Sequence, residues 1–126
     1  MKSKYKKVYS LAHQAGYRNY TVRDLINLKG KKKLTQINVI SPYEAEAAEI
    51  AGIDMIICGV DKLKEIREAA PNTFLTCGIK YTEHASKESL MRNVFELLEI
   101  GVDSIHTNSW NIKFIKYLSD FNIPFQ

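Results

Sequence analysis

Several side chains in this 126-residue chain could grip or activate a small polar molecule: Ser41, Asp61, Lys80, His84, His106 and Asn108. Each lies within or just after a short apolar run. A lysine offers a fixed positive charge to a carboxylate or phosphate, and an imidazole can donate or accept a proton. An asparagine amide can anchor a carbonyl or phosphate, and an aspartate can serve a hard cation. Ile40, Tyr81, Glu83, Ser109 and Trp110 adjoin them. Plainer roles compete. Ser41 and Asp61 each precede a helical pattern and could be N-caps, and Lys80 and Glu83 could be solvated loop charges. His106 is the sharpest candidate. In a strand its neighbours Ile105 and Thr107 face the other way, so it points with Ser104 and Asn108 either inward or toward flanking helices. There is no phosphate-binding glycine loop, zinc-ligand spacing, nucleophile elbow or paired-acid motif.

What would bring these residues together is a repeated strand–helix pattern. The spacing predicts strands over 34–41, 54–60, 73–81 and 103–109 and helices over 41–52, 61–71, 86–101 and 111–121, and NIPFQ (122–126) reads as the start of a fifth strand. Ser41 and Ser86 are the expected caps, Pro42 the first helical residue, and Gly52 and Gly101 the stops. Leu90, Val94, Leu97 and Leu98 share one face of the third helix of this series. The nearly continuous apolar strand 54–60 is the kind covered on both faces of a parallel sheet. An internal repeat supports this order: EIAGIDMIICG (49–59) resembles LEIGVDSIHTN (98–108), with Gly52/Gly101 and Asp54/Asp103 in matching places. The predicted class is α/β with parallel βα repeats: half of a (β/α)8 barrel, about four units and the start of a fifth strand. A complete barrel takes about 250 residues, so the chain is expected to be truncated or to have its sheet completed by a partner. In such sheets ligands bind beyond the carboxyl ends of the strands, the edge where the candidate residues fall.

Residues 1–33 read as a separate basic helical segment, with helices expected over 4–16 and from Thr21 to Gly30, ahead of a βα-repeat domain over 34–126. Those 33 residues hold ten of the eighteen Lys/Arg and one acid, Asp24; the remainder holds eight bases and thirteen acids. The overall +4 charge is therefore an amino-terminal feature, which disfavours nucleic acid as a partner of the whole domain. No apolar run reaches the roughly 18 residues of a membrane span. The start lacks the apolar core of a secretion signal, and Cys58 and Cys77 read as buried, reduced thiols. The expected location is cytoplasmic.

Taken together, TVRDLINLKGKKKL (21–34), AGIDMIICGVD (51–61), RNVFELLEIGVDSIHTN (92–108) and NIPFQ resemble the ketopantoate hydroxymethyltransferase (3-methyl-2-oxobutanoate hydroxymethyltransferase) family, one of the phosphoenolpyruvate mutase/isocitrate lyase-like barrels. The match runs from about residue 21 to the end and covers the amino-terminal half of a family member. The resemblance implies hydroxymethyl transfer from methylenetetrahydrofolate to a 2-oxoacid in pantothenate biosynthesis. It also implies Mg2+ held by two aspartates and a glutamate. At those places this sequence has Val60, with Asp61 one residue later, then Gly78 and Asn108; His106 stands where the family has a substrate-binding lysine. The resemblance leaves open whether the chain is an enzyme. The alternatives are a related barrel acting on another oxoacid or a phosphorylated small molecule, with His106, Asn108, Lys80 and His84 lining its site, and a non-catalytic half-barrel that forms a homo-oligomer or binds a partner.

Overall fold

The computed structural model describes residues 5–10, 14–79, 86–107, 112–121 and 123–124. Its main body is a four-stranded parallel sheet of β3 (Gln36–Asn38), β4 (Met55–Cys58), β5 (Phe74–Ile79) and β6 (Ser104–Thr107), hydrogen-bonded in that order. Between and after them come α2 (Pro42–Ile50), α3 (Leu63–Ala69), α4 (Lys87–Ile100) and α5 (Ile112–Ser119). The strand order follows chain order without reversal, as successive right-handed βα units lay it down. Half-barrel character stands. Pro124 O accepts from Ile105 N on the outer side of β6 at 2.9 Å, where the fifth strand is expected, although Ile123 and Pro124 are not themselves a strand.

Local chemistry explains most element ends. Ser41 caps α2 and Ser86 caps α4, each accepting a backbone N–H three residues on at 3.2 Å, and Pro42 opens α2. Thr21 and Asp24 form a reciprocal capping box on α1 (Val22–Leu28). Gly52 and Gly101 stop α2 and α4 at φ +79° and +110°, a left-handed conformation that glycine adopts without steric cost. The predicted cap at Asp61 is not realised. Lys62, at φ 57°, occupies that position without a side-chain cap, and Asp61 is exposed one residue earlier.

The helix expected over 4–16 is not seen in its described residues, 5–10 and 14–16. Lys6–Tyr9 (β1) and Ala15–Arg18 (β2) form an antiparallel hairpin. Only two strands are involved, too few to hold a hairpin alone, and the anchor lies outside it. Arg18 is buried, bonded through Nε to both carboxylate oxygens of Asp103 and through its terminal nitrogens to the carbonyls of Tyr17, Pro71 and Gly101.

The core lies between the sheet and the helices. Ile56, Cys58, Leu75, Cys77, Ile79 and Ile105 from the strands meet Ala45, Ala48, Leu63, Ile66, Leu90, Met91, Val94, Leu97 and Leu118 from the helices. Cys58 and Cys77 are register partners within it and both are free thiols. Their mutual hydrogen bond and burial hold the Cys77 thiol well above the usual range, so it stays protonated. Among the described residues no helix is long and apolar enough to cross a membrane.

Candidate functional site at the carboxyl edge

Strand alternation assigns the two faces of the sheet. Ile105 and Cys77 belong to the helix-side core, so Ser104, His106, Thr76 and Gly78 face the opposite, inner side. Phe74 is buried yet stands outside the core cluster, which places it on the inner face too. This answers the question left by the sequence: His106 points to the inner side, away from the helices.

The inner face is graded along the strands. Near their amino ends Phe74 is 2% exposed, and one step further Thr76 is 0% and Ser104 4%. Thr76 and Ser104 join hydroxyl to hydroxyl at 2.7 Å. At the next step the register pairs Gly78 with His106, both only partly buried. A β-carbon at Gly78 would lie 4.0 Å from His106 Cδ2 and 3.7 Å from Cys58 O, so the glycine leaves a space beside the imidazole. The face is sealed at its base and opens at His106. The hydroxyl pair predicts a non-additive pattern. Thr76→Val or Ser104→Ala alone should cost about 1–3 kcal/mol by breaking a hydrogen bond between two buried hydroxyls, while the double substitution should cost less than their sum. Urea unfolding of the four proteins measures this.

Ser41 lies at the same edge after β3, with its oxygen engaged in the α2 cap and its own O–H left to donate. Asp61 follows β4. Lys80, His84 and Asn108 lie outside the described residues, as do Tyr81, Glu83, Ser109 and Trp110. The structure therefore places His106, Ser41 and Asp61 at one edge, with Gly78 beside His106.

The described residues do not fit Mg2+. Among them no three His, Cys, Asp or Glu side chains converge. Val60 packs against the apolar core and Gly78 has no side chain. That leaves the single exposed Asp61 carboxylate where a hard dication requires several oxygen ligands.

The amino end of the sheet holds a cluster that the sequence reading did not single out. A cleft of about 470 Å3 lies there, lined by the hairpin, Arg67 and residues 98–103. Arg67 is buried and donates to the carbonyls of Ala70, Thr73 and Gly101 and to Asp103. Burial, then the neighbouring Arg18, lower its pKa to about 10, so it stays charged at neutral pH. Asp103 Oδ2 also accepts from Leu75 N at the start of the preceding strand. In the matching repeat position Asp54 Oδ2 accepts from Thr35 N, just ahead of its own preceding strand, and Asp54 Oδ1 accepts from Tyr20. The repeated Gly-x-Asp is thus a joint between successive units. The signal was present in the repeat, but it marks assembly rather than chemistry.

The chain is similar to two curated proteins, each named 3-methyl-2-oxobutanoate hydroxymethyltransferase. The one from Kosmotoga olearia is 28% identical over 127 aligned residues, 82% of this chain and 48% of that protein. The one from Thermosipho melanesiensis is 23% identical over 107 residues, 68% of this chain and 40% of that protein. The chain thus spans about half the length of the curated relatives it matches, in agreement with the family resemblance read from its motifs. No protein-family model matches it, and no solved structure does.

Proposed function

We propose that this chain is the 2-oxoacid-holding half of a barrel related to the hydroxymethyltransferases, with 3-methyl-2-oxobutanoate as the first substrate to test and methylenetetrahydrofolate as the one-carbon donor of the complete protein. The observation that carries this reading is the inner face that closes at Thr76 and Ser104 and opens at His106 beside Gly78. An imidazole there can donate an N–H to the carboxylate or oxo group of a bound 2-oxoacid. Ser41, with its free O–H, stands at the same edge, and Lys80, His84 and Asn108 complete the proposed binding set. The Kosmotoga and Thermosipho proteins supply the substrate class through their names. In this reading binding needs no metal, because the described donor set does not suit one.

Titration calorimetry with 3-methyl-2-oxobutanoate, with and without Mg2+, tests the reading. Binding is expected in both conditions. His106→Ala should weaken it about ten- to a hundredfold, the equivalent of one hydrogen bond to a charged group. Absence of binding by the folded protein would sink the proposal. Binding that appears only with Mg2+ would show instead that the metal site is completed by other residues.

A further inference from the structure

The sequence has two cysteines, and the fold sets them side by side. Cys58 and Cys77 are register partners on adjacent parallel strands, on the same helix-side face, with their thiols in hydrogen-bond contact. A buried free cysteine standing alone is an ordinary core residue. A facing pair has a further option. Neighbouring strands run about 4.7–4.9 Å apart, within the roughly 4.4–6.8 Å that a disulfide spans between α-carbons. Parallel side chains keep about the same separation at their β-carbons, slightly beyond the roughly 3.5–4.5 Å of a relaxed disulfide. The bond can therefore close, but under strain, and a strained disulfide is readily reduced again. Access lies at the carboxyl edge. Cys58 is the last residue of β4. Gly59, just beyond it, is exposed, and a β-carbon there would meet nothing within 4 Å.

We propose that Cys58 and Cys77 are an oxidative modification site, a dithiol that hydrogen peroxide converts reversibly to a disulfide, reshaping the opening at His106. Cys58 is the sulfur that reacts first. The hydrogen bond from Cys77 lowers its pKa against the opposing effect of burial, and the thiolate is the nucleophile. It attacks one peroxide oxygen and the O–O bond breaks. Cys58 becomes a sulfenic acid, and the departing hydroxide takes up the proton that Cys58 lost and leaves as water. The Cys77 sulfur then attacks the Cys58 sulfur. The S–S bond forms, the S–O bond breaks, and the hydroxide leaves with the Cys77 proton as a second water. Two electrons pass from the sulfurs to the peroxide. The change reaches the edge because both cysteines border the opening. Cys77 Sγ lies 3.6 Å from Gly78 O. Cys58 O lies 3.7 Å from the place of a β-carbon on Gly78, and Gly78 pairs with His106. Drawing the two sulfurs together alters the space beside the imidazole, whatever that space binds.

Mass spectrometry of the full chain tests this. The folded protein is treated with hydrogen peroxide, then unfolded and alkylated. Loss of both alkylatable thiols is expected, with a mass lower by two hydrogens and reversal by dithiothreitol. Cys77→Ala should stop the reaction at the Cys58 sulfenic acid, trapped by dimedone, whereas Cys58→Ala should leave Cys77 unoxidised. In the disulfide form the His106 ring resonances, identified as those absent from His106→Ala, should move. The unaltered chain decides the main point even where a cysteine variant does not fold. Two thiols still alkylated after treatment would overturn the proposal. So would a disulfide that forms only at urea concentrations that unfold the chain, or one that joins two chains. Unmoved His106 resonances in the disulfide form would overturn the link to the opening.

Discussion

Replacing Asp103 with alanine is expected to lower folding stability by about 3–5 kcal/mol, because it leaves two buried guanidinium groups without their shared counter-charge. Asp103 takes both Arg18 and Arg67 at 3.0 Å and 3.2 Å, with all three side chains largely buried. It also takes the amide of Leu75, so the first bond of a central strand is lost as well. Arg67 Nε already lacks a hydrogen-bond partner among the described residues, so the loss adds to an existing cost. A loss of this size is a large share of the 5–15 kcal/mol that holds a typical domain. The companion change, Asp54→Ala, removes an equivalent joint with no buried cation on it and should cost only about 1–2 kcal/mol. Urea denaturation of both variants decides the matter. Equal losses would show that the carboxylate acts through the strand amide alone and that its charge is immaterial.

The second large effect separates two adjacent residues. Ile105→Ala should cost about 2–5 kcal/mol, since Ile105 is fully buried in the helix-side core and its truncation leaves a cavity. His106→Ala, one residue on and partly exposed on the inner face, should cost little stability and act on ligand binding instead. The pair is a direct test of which way β6 faces. Thermal unfolding beside calorimetric binding reads both quantities. A large stability loss from His106→Ala, with binding retained, would place the imidazole in a structural role.

The sequence was most readable where a local pattern sets the outcome. The serine caps, Pro42 at the start of α2 and the glycine stops at 52 and 101 all rest on residues within one helical turn, and all appear as expected. The parallel order of the sheet follows from short connections and handedness, both legible in one dimension. The hairpin at residues 6–18 was misread as a helix because Tyr5, Val8 and Tyr9 suit either spacing, while the contact that decides it, Arg18 with Asp103, joins residues 85 apart. Asp61 looked like a cap by position, but a left-handed turn at Lys62 displaces it by one residue. For the candidate residue His106, its place in a strand was legible, but the direction it faces was not. The face of a strand depends on which residues the helices cover, and only the assembled core fixes that.

The paired Gly-x-Asp joints also bear on the order in which the molecule comes together. The first joins residues 19 apart and the second residues 28 apart. Each therefore closes soon after its own unit emerges, and nothing downstream is needed. The Arg18 clasp spans 85 residues, three times the longer joint, and this adds about 1 kcal/mol of chain-closure entropy. It cannot close until the fourth strand has arrived. The hairpin is thus tied down in stages: Tyr17 and Asn19 reach Asn72 and Asp54 within the first units, and only the carboxylate clasp of Arg18 waits for Asp103.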